Sequence, residues 1–97
     1  MNMSKDAVLA CLRQHHHEFD EFHIKSLSIF GSVARNEAKA NSDVDILVDF
    51  EKPLGLFKFI RLQKQLEALL NHKVDLVSRN ALKPQLRERI LSEKADV

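Results

Sequence analysis

The chain has no tryptophan and no tyrosine, and only one cysteine, two glycines and two prolines among its 97 residues. Cys11 alone cannot form an internal disulfide and leaves no cysteine spacing for a zinc site. There is no Pro/Gly/Ser-rich linker, internal repeat or low-complexity tract. No apolar run approaches the roughly 18 residues of a membrane-spanning helix. The opening Met-Asn-Met-Ser-Lys-Asp lacks the apolar core of a signal peptide. Excess charge of one sign is missing too. Lys and Arg number 15 against 14 Asp and Glu, a formal net charge of +1, so composition predicts no direct nucleic-acid binding. What remains, 44% hydrophobic and 30% charged residues, is ordinary for a globular protein. The expectation is a single domain over residues 1–97, cytoplasmic and without membrane association.

Hydrophobic periodicity divides the chain into alternating elements. Ser4 can cap a helix running to about residue 18, with Val8, Cys11, Leu12, His15 and Phe19 on one stripe. Residues 25–30 alternate polar and apolar as a strand, with Leu27 and Ile29 on its buried face. Gly31-Ser32 ends that strand, and 33–38 reads as a short helix. Asn41-Ser42 forms a turn before a second strand at 43–50. Its Val44, Ile46 and Val48 share one face, while Asp43 and Asp45 share the other with Leu47. The clearest helix is 56–70, with Phe59, Leu62, Leu66 and Leu69 as its stripe. A third strand at 73–78 carries Asp75, and Asn80 can cap a last helix containing Leu82, Leu86 and Ile90. The pattern predicts an α+β fold, a two-layer arrangement of a three-stranded mixed sheet and about four helices. Strand directions do not follow from the sequence, though the short link between the first two strands could make them antiparallel. An exposed edge of such a sheet would allow a homodimer.

Chemistry concentrates in one constellation: Gly31-Ser32, ten residues, Asp43-Val44-Asp45, and later Asp75. Gly31 permits close approach of backbone N–H groups to phosphate oxygens, and Ser32 adds a hydroxyl donor. Two carboxylates on one strand face suit Mg²⁺, which prefers hard oxygen ligands and shares them with phosphates and water. Asp75, on a neighbouring strand, can hold a second metal or accept a proton. The expected substrate is ATP, gripped at its β- and γ-phosphates by Gly31 and Ser32, with pyrophosphate leaving. Arg35 is a candidate phosphate contact, weighed against a surface ion pair with Glu37 or a nearby carboxylate. Ser42 is a candidate nucleotide contact, weighed against a cap of its own turn. His15-His16-His17 is not expected to bind metal, because adjacent helical residues point about 100° apart. His15 falls on the apolar stripe instead. Lys83, Arg87, Glu88 and Arg89 read as a solvated helix face.

These residues resemble the nucleotidyltransferase superfamily that includes DNA polymerase beta, and within it the minimal nucleotidyltransferase (MNT) group. The likeness covers roughly residues 20–91, with the Gly-Ser, Asp-x-Asp and third-Asp signature in register. It implies a palm-like fold in which Asp43 and Asp45 are catalytic metal ligands and Asp75 is the third carboxylate. It implies Mg²⁺, in all two ions, and ATP. It also implies a partner, since MNT proteins resemble antitoxins that transfer AMP to a tyrosine of a HEPN-domain RNase toxin. With no tyrosine in this chain, a tyrosine acceptor must lie on another protein. The alternative is a non-catalytic antitoxin, a nucleotide-binding module that neutralises its partner by occlusion. Two departures stand out: Asn36 where the group often has Gly, and Asn71-His72 in place of a common Gly-Arg. Residues 92–97 diverge more.

Overall fold

Ser4 caps the first helix, its hydroxyl accepting the Ala7 N–H at 3.2 Å. The computed structural model describes residues 3–97. Helix α1, Lys5–Gln14, buries Val8, Leu9 and Leu12, and stops short of the residue 18 that its stripe suggests. The three consecutive histidines follow that end. His15 closes the helix with its N–H on Cys11 O, and its ring pairs with Glu18. The chain then tightens into a 3-10 segment, His16–Phe22, which buries Phe19 and Phe22. His15 is half-buried, while His16 and His17 are exposed.

Strand β1, Ile24–Phe30, leads into α2, Gly31–Ala34. This helix is shorter than the expected 33–38, because Asn36 takes a left-handed conformation at φ 57°. The Asn36 side chain then accepts the Lys5 N–H at 2.8 Å. Strand β2 is Val44–Phe50, α3 is Leu56–Leu70 and β3 is Val74–Ser78. Asn71 ends α3, also left-handed at φ 54°. Both departures from the MNT pattern are thus positive-φ positions, where Asn is the side chain that best replaces Gly. Asn80 does not cap the last helix. It lies in a 3-10 turn, Arg79–Ala81, and α4 runs Pro84–Glu93 with the proline in its first turn. Proline disfavours helix at the residue before it, so Lys83 stays extended and the helix starts at Pro84.

The sheet has four strands in the order β3-β2-β1-β4, not three. The added strand β4 is Ala95–Asp96, too short to show any periodicity in sequence. It pairs antiparallel with β1 at Ser28 and Ile29 and so covers part of that edge. The sheet is mixed, as expected: β1 and β2 are antiparallel, β2 and β3 parallel. Val44, Ile46 and Val48 join Ile29, Val74 and Leu76 in the core against Leu62, Leu66 and Leu70 of α3. Phe59 and Leu69 pack at its margin. Among the described residues no helix is long and apolar enough to cross a membrane.

Leu66 is 0% exposed and Phe57 is 86% exposed. Leu66→Ala is expected to lower unfolding free energy by about 2–5 kcal/mol through lost burial and the cavity left behind. Phe57→Ala should stay within about 0.5 kcal/mol. Urea denaturation of the two variants checks the contrast.

Candidate active site

The site is built by strand register. In the β1–β2 pair Phe30 lies opposite Asp45, so the next residue, Gly31, meets the Asp45 carboxyl. Gly31 has φ 70°, and a Cβ there would sit 3.1 Å from Asp45 Cγ and overlap Oδ2. Two constraints, handedness and space, therefore demand glycine. In the parallel β2–β3 pair Asp45 lies beside Asp75. Neighbouring in-register residues project to the same face, so the two carboxylates share it. Asp43 precedes β2 by one residue and lies two positions from Asp45. Asp43 and Asp75 are exposed, and Asp45 is half-buried.

This crowding shows in the acidity of Asp45. Burial, then the charges of Asp75 and Asp43, push its carboxyl up to about 6, with Arg35 opposing and Glu93 adding. Such an arrangement of hard oxygen donors gains from a divalent cation. Among the described residues no three His, Cys, Asp or Glu side chains close into a ready-made metal cluster. Mg²⁺ needs only one or two carboxylates when phosphates complete its shell, so Asp43 and Asp45, with Asp75 beside them, fit the ion.

The remaining expected residues fall into two groups. Gly31 and Ser32 stand at the strand end, and Arg35 closes α2 one turn later. Arg35 makes the weighed ion pair with Glu37 at 3.1 Å, and it also binds Glu93 at 3.2 Å. Ser42 is committed to its turn, its hydroxyl accepting the Lys39 N–H at 2.8 Å. Glu93 was invisible to sequence reasoning. Its Oε1 accepts the Gly31 N–H at 3.2 Å across 62 positions of sequence. No spacing rule connects residues so far apart, and α4 reads as a solvated helix.

Residues 12–97 match the family described as Nucleotidyltransferase domain. The chain belongs to the nucleotidyltransferase family. Among curated relatives, protein adenylyltransferase MntA of Thermococcus cleftensis is 44% identical over 92 residues, spanning 94% of this chain and 93% of that protein. Among solved structures, a minimal nucleotidyltransferase is 36% identical with a TM-score of 0.83, covering 97% of this chain and 96% of that one. The nucleotidyltransferase is thus of the MNT group. An MNT antitoxin from Shewanella oneidensis, solved in complex with its tri-AMPylated HEPN toxin, shares the fold at 20% identity and TM-score 0.60, over 95% of this chain and 66% of that one.

Two expectations follow. Folded Asp45 holds its proton up to about pH 6, whereas an unfolded aspartate releases it near ~3.9. The folded state therefore binds more protons in that window, and stability falls as pH rises from about 4 to 6. Asp45→Asn should remove this loss and be more stable by about 1 kcal/mol at pH 7, a figure reduced for partial solvent exposure. Thermal melts between pH 4 and 7 should show the gap between the two proteins widening with pH. Gly31→Ala should cost roughly 1–3 kcal/mol through backbone strain, with further loss from collision with Asp45. Denaturation of that variant, with triphosphate binding measured alongside, checks it.

Proposed function

We propose that residues 1–97 form one Mg²⁺-dependent protein adenylyltransferase domain that moves AMP from ATP to a tyrosine hydroxyl of a HEPN-type RNase toxin, acting as its antitoxin. The observation that carries this reading is the register that sets Asp45 beside Asp75 and against Gly31. Family membership and the relative named as a protein adenylyltransferase support it. The HEPN partner rests on the toxin–antitoxin complex that shares the fold.

In this reading the Gly31 N–H and Ser32 receive the β- and γ-phosphates, and Arg35 lies close enough to add a guanidinium. Asp43 and Asp45 hold Mg²⁺, two ions with Asp75 included. Held by these carboxylates, Mg²⁺ would supply charge neutralisation for the phosphates and for the leaving pyrophosphate. Asp75 is exposed, which suits it either to join a second ion or to take the proton of an arriving hydroxyl. The acceptor oxygen bonds to the α-phosphorus, the α–β bridging P–O bond breaks, and pyrophosphate departs.

A macromolecular acceptor suits a site in which Asp43 and Asp75 are exposed. Cavities of about 620 and 640 Å³ lie elsewhere, one lined by Leu12, Phe19 and Leu27, the other by Phe50, Leu54 and Phe59. Neither includes Asp43, Asp45 or Asp75. With no tyrosine of its own, the chain cannot be its own tyrosine substrate.

The test is incubation with α-labelled ATP, Mg²⁺ and the HEPN partner. Label should pass to the partner, be abolished by chelation, and fall at least about a hundredfold in Asp43→Asn or Asp45→Asn. No transfer with any nucleotide or divalent cation would end the reading. Full protection of toxin-expressing cells by the doubly substituted Asp43→Asn/Asp45→Asn protein would instead establish neutralisation by occlusion.

A further inference from the structure

The C-terminal segment places an anion inside the site. Glu93 is the last residue of α4, and its side chain is 20% exposed. One carboxylate oxygen accepts the Gly31 N–H at 3.2 Å and the Arg35 Nη1 at 3.3 Å, and the other accepts Arg35 Nη1 at 3.2 Å. A backbone N–H beside a guanidinium is the donor set that binds phosphate oxygens, and a carboxylate satisfies it by the same chemistry.

The position is not explained by packing. No residue of helix α4 is fully buried, and only Ile90, Leu91 and Glu93 are partly covered. Glu93 also lies near Asp45, which already has Asp43 and Asp75 about it, so the carboxylate adds negative charge to a crowded site. What holds it there is the strap that follows. Ala95 and Asp96 pair with Ile29 and Ser28 as strand β4. Ser28 Oγ donates to Asp96 Oδ1 at 2.7 Å, and Arg13 donates to Asp96 O at 2.8 Å. Lys94 pairs with Asp96, and the Val97 N–H reaches Leu27 O at 2.9 Å. These contacts fix the chain immediately after Glu93 and aim its carboxylate at Gly31.

We propose that Glu93 is an internal stand-in for the nucleotide's phosphates, held on Gly31 and Arg35 by the β4 strap, and that a triphosphate binds only by displacing it. The inference rests on the reading of Gly31 as a phosphate donor. Gly31 has one N–H, so carboxylate and phosphate compete for it. The apparent affinity is lowered by the fraction of molecules in which Glu93 is seated. Glu93 thereby sets nucleotide affinity, and whatever loosens the strap raises it. Because the competition is for phosphate donors, the effect belongs to polyphosphates and not to the adenosine end of the ligand.

The experiment titrates the full chain, Glu93→Ala, Glu93→Gln and Asp96→Ala with three probes in the presence of Mg²⁺: AMP-PNP, inorganic tripolyphosphate and AMP. Glu93→Ala should bind AMP-PNP and tripolyphosphate about tenfold tighter, the scale of one charge-assisted hydrogen bond. AMP affinity should stay within about twofold, well inside that scale. Glu93→Gln keeps the size and loses the charge, and should shift the same way by less. Asp96→Ala touches neither Gly31 nor Arg35, and should also tighten polyphosphate binding by releasing the strap. In ¹⁵N-labelled protein, the Gly31 amide resonance of the unliganded chain should move in both Glu93 variants. Unchanged or weaker AMP-PNP and tripolyphosphate binding in both Glu93 variants, while the wild-type chain binds them, would overturn the proposal and leave the phosphate-donor reading intact. Failure of every form, wild type included, to bind either polyphosphate would overturn both.

Discussion

The pairing that sets Phe30 opposite Asp45 and Asp75 beside it is the constraint on which the site depends. Both registers are enforced from the other face of the sheet. Val44, Ile46 and Val48 are buried there, and a slip of one residue in β2 would exchange them with Asp45, Leu47 and Asp49 and bring the acids inward. The core thus fixes the position of charges it never touches. Those charges oppose folding, because three carboxylates on one face repel and one of them is half desolvated. A strong sheet and a well-packed α3 offset that, so the site is held by stability generated elsewhere in the molecule.

Much of this was legible in the chain, and the legible parts share a cause. Helix α3 shows a repeating apolar stripe, and its limits at 56 and 70 match the structure. Strands β1, β2 and β3 alternate clearly, and each differs from expectation by no more than a residue at either end. The Gly31-Ser32 turn and the Asp43, Asp45 and Asp75 positions are local patterns on those elements. The resemblance to the MNT group supplied the roles. The ends of the shorter elements were less legible because they are decided by competition. Helix α1 carries an apolar stripe past Gln14, yet the backbone changes to 3-10 form to bury Phe19 and Phe22. Helix α2 ends where Asn36 adopts a positive φ, a choice that residue type permits but does not require.

Strand β4 and Glu93 were illegible for a different reason. A two-residue strand has no period, and its existence depends on an edge of β1 supplied by residues nearly seventy positions earlier. Arg35 illustrates the same limit. Its partner Glu37 is two residues away and legible in the sequence, whereas Glu93 lies 58 positions away and is not identifiable there. Contacts between distant segments follow from the assembled sheet, and a single sequence without its fold does not display them. Asn36 and Asn71 run the other way: they looked like departures from a family pattern, and the backbone shows them preserving the handedness that glycine would supply.

No residue of helix α4 is fully buried, and its polar ties to the body run through Glu93 to Gly31 and Arg35 and through the strand that follows. A segment anchored in this way can peel from the body while Leu62, Leu66, Ile46 and their neighbours stay covered. A helix with so little apolar burial is expected to open locally at lower cost than the central strand β2, whose Val44, Ile46 and Val48 are fully covered.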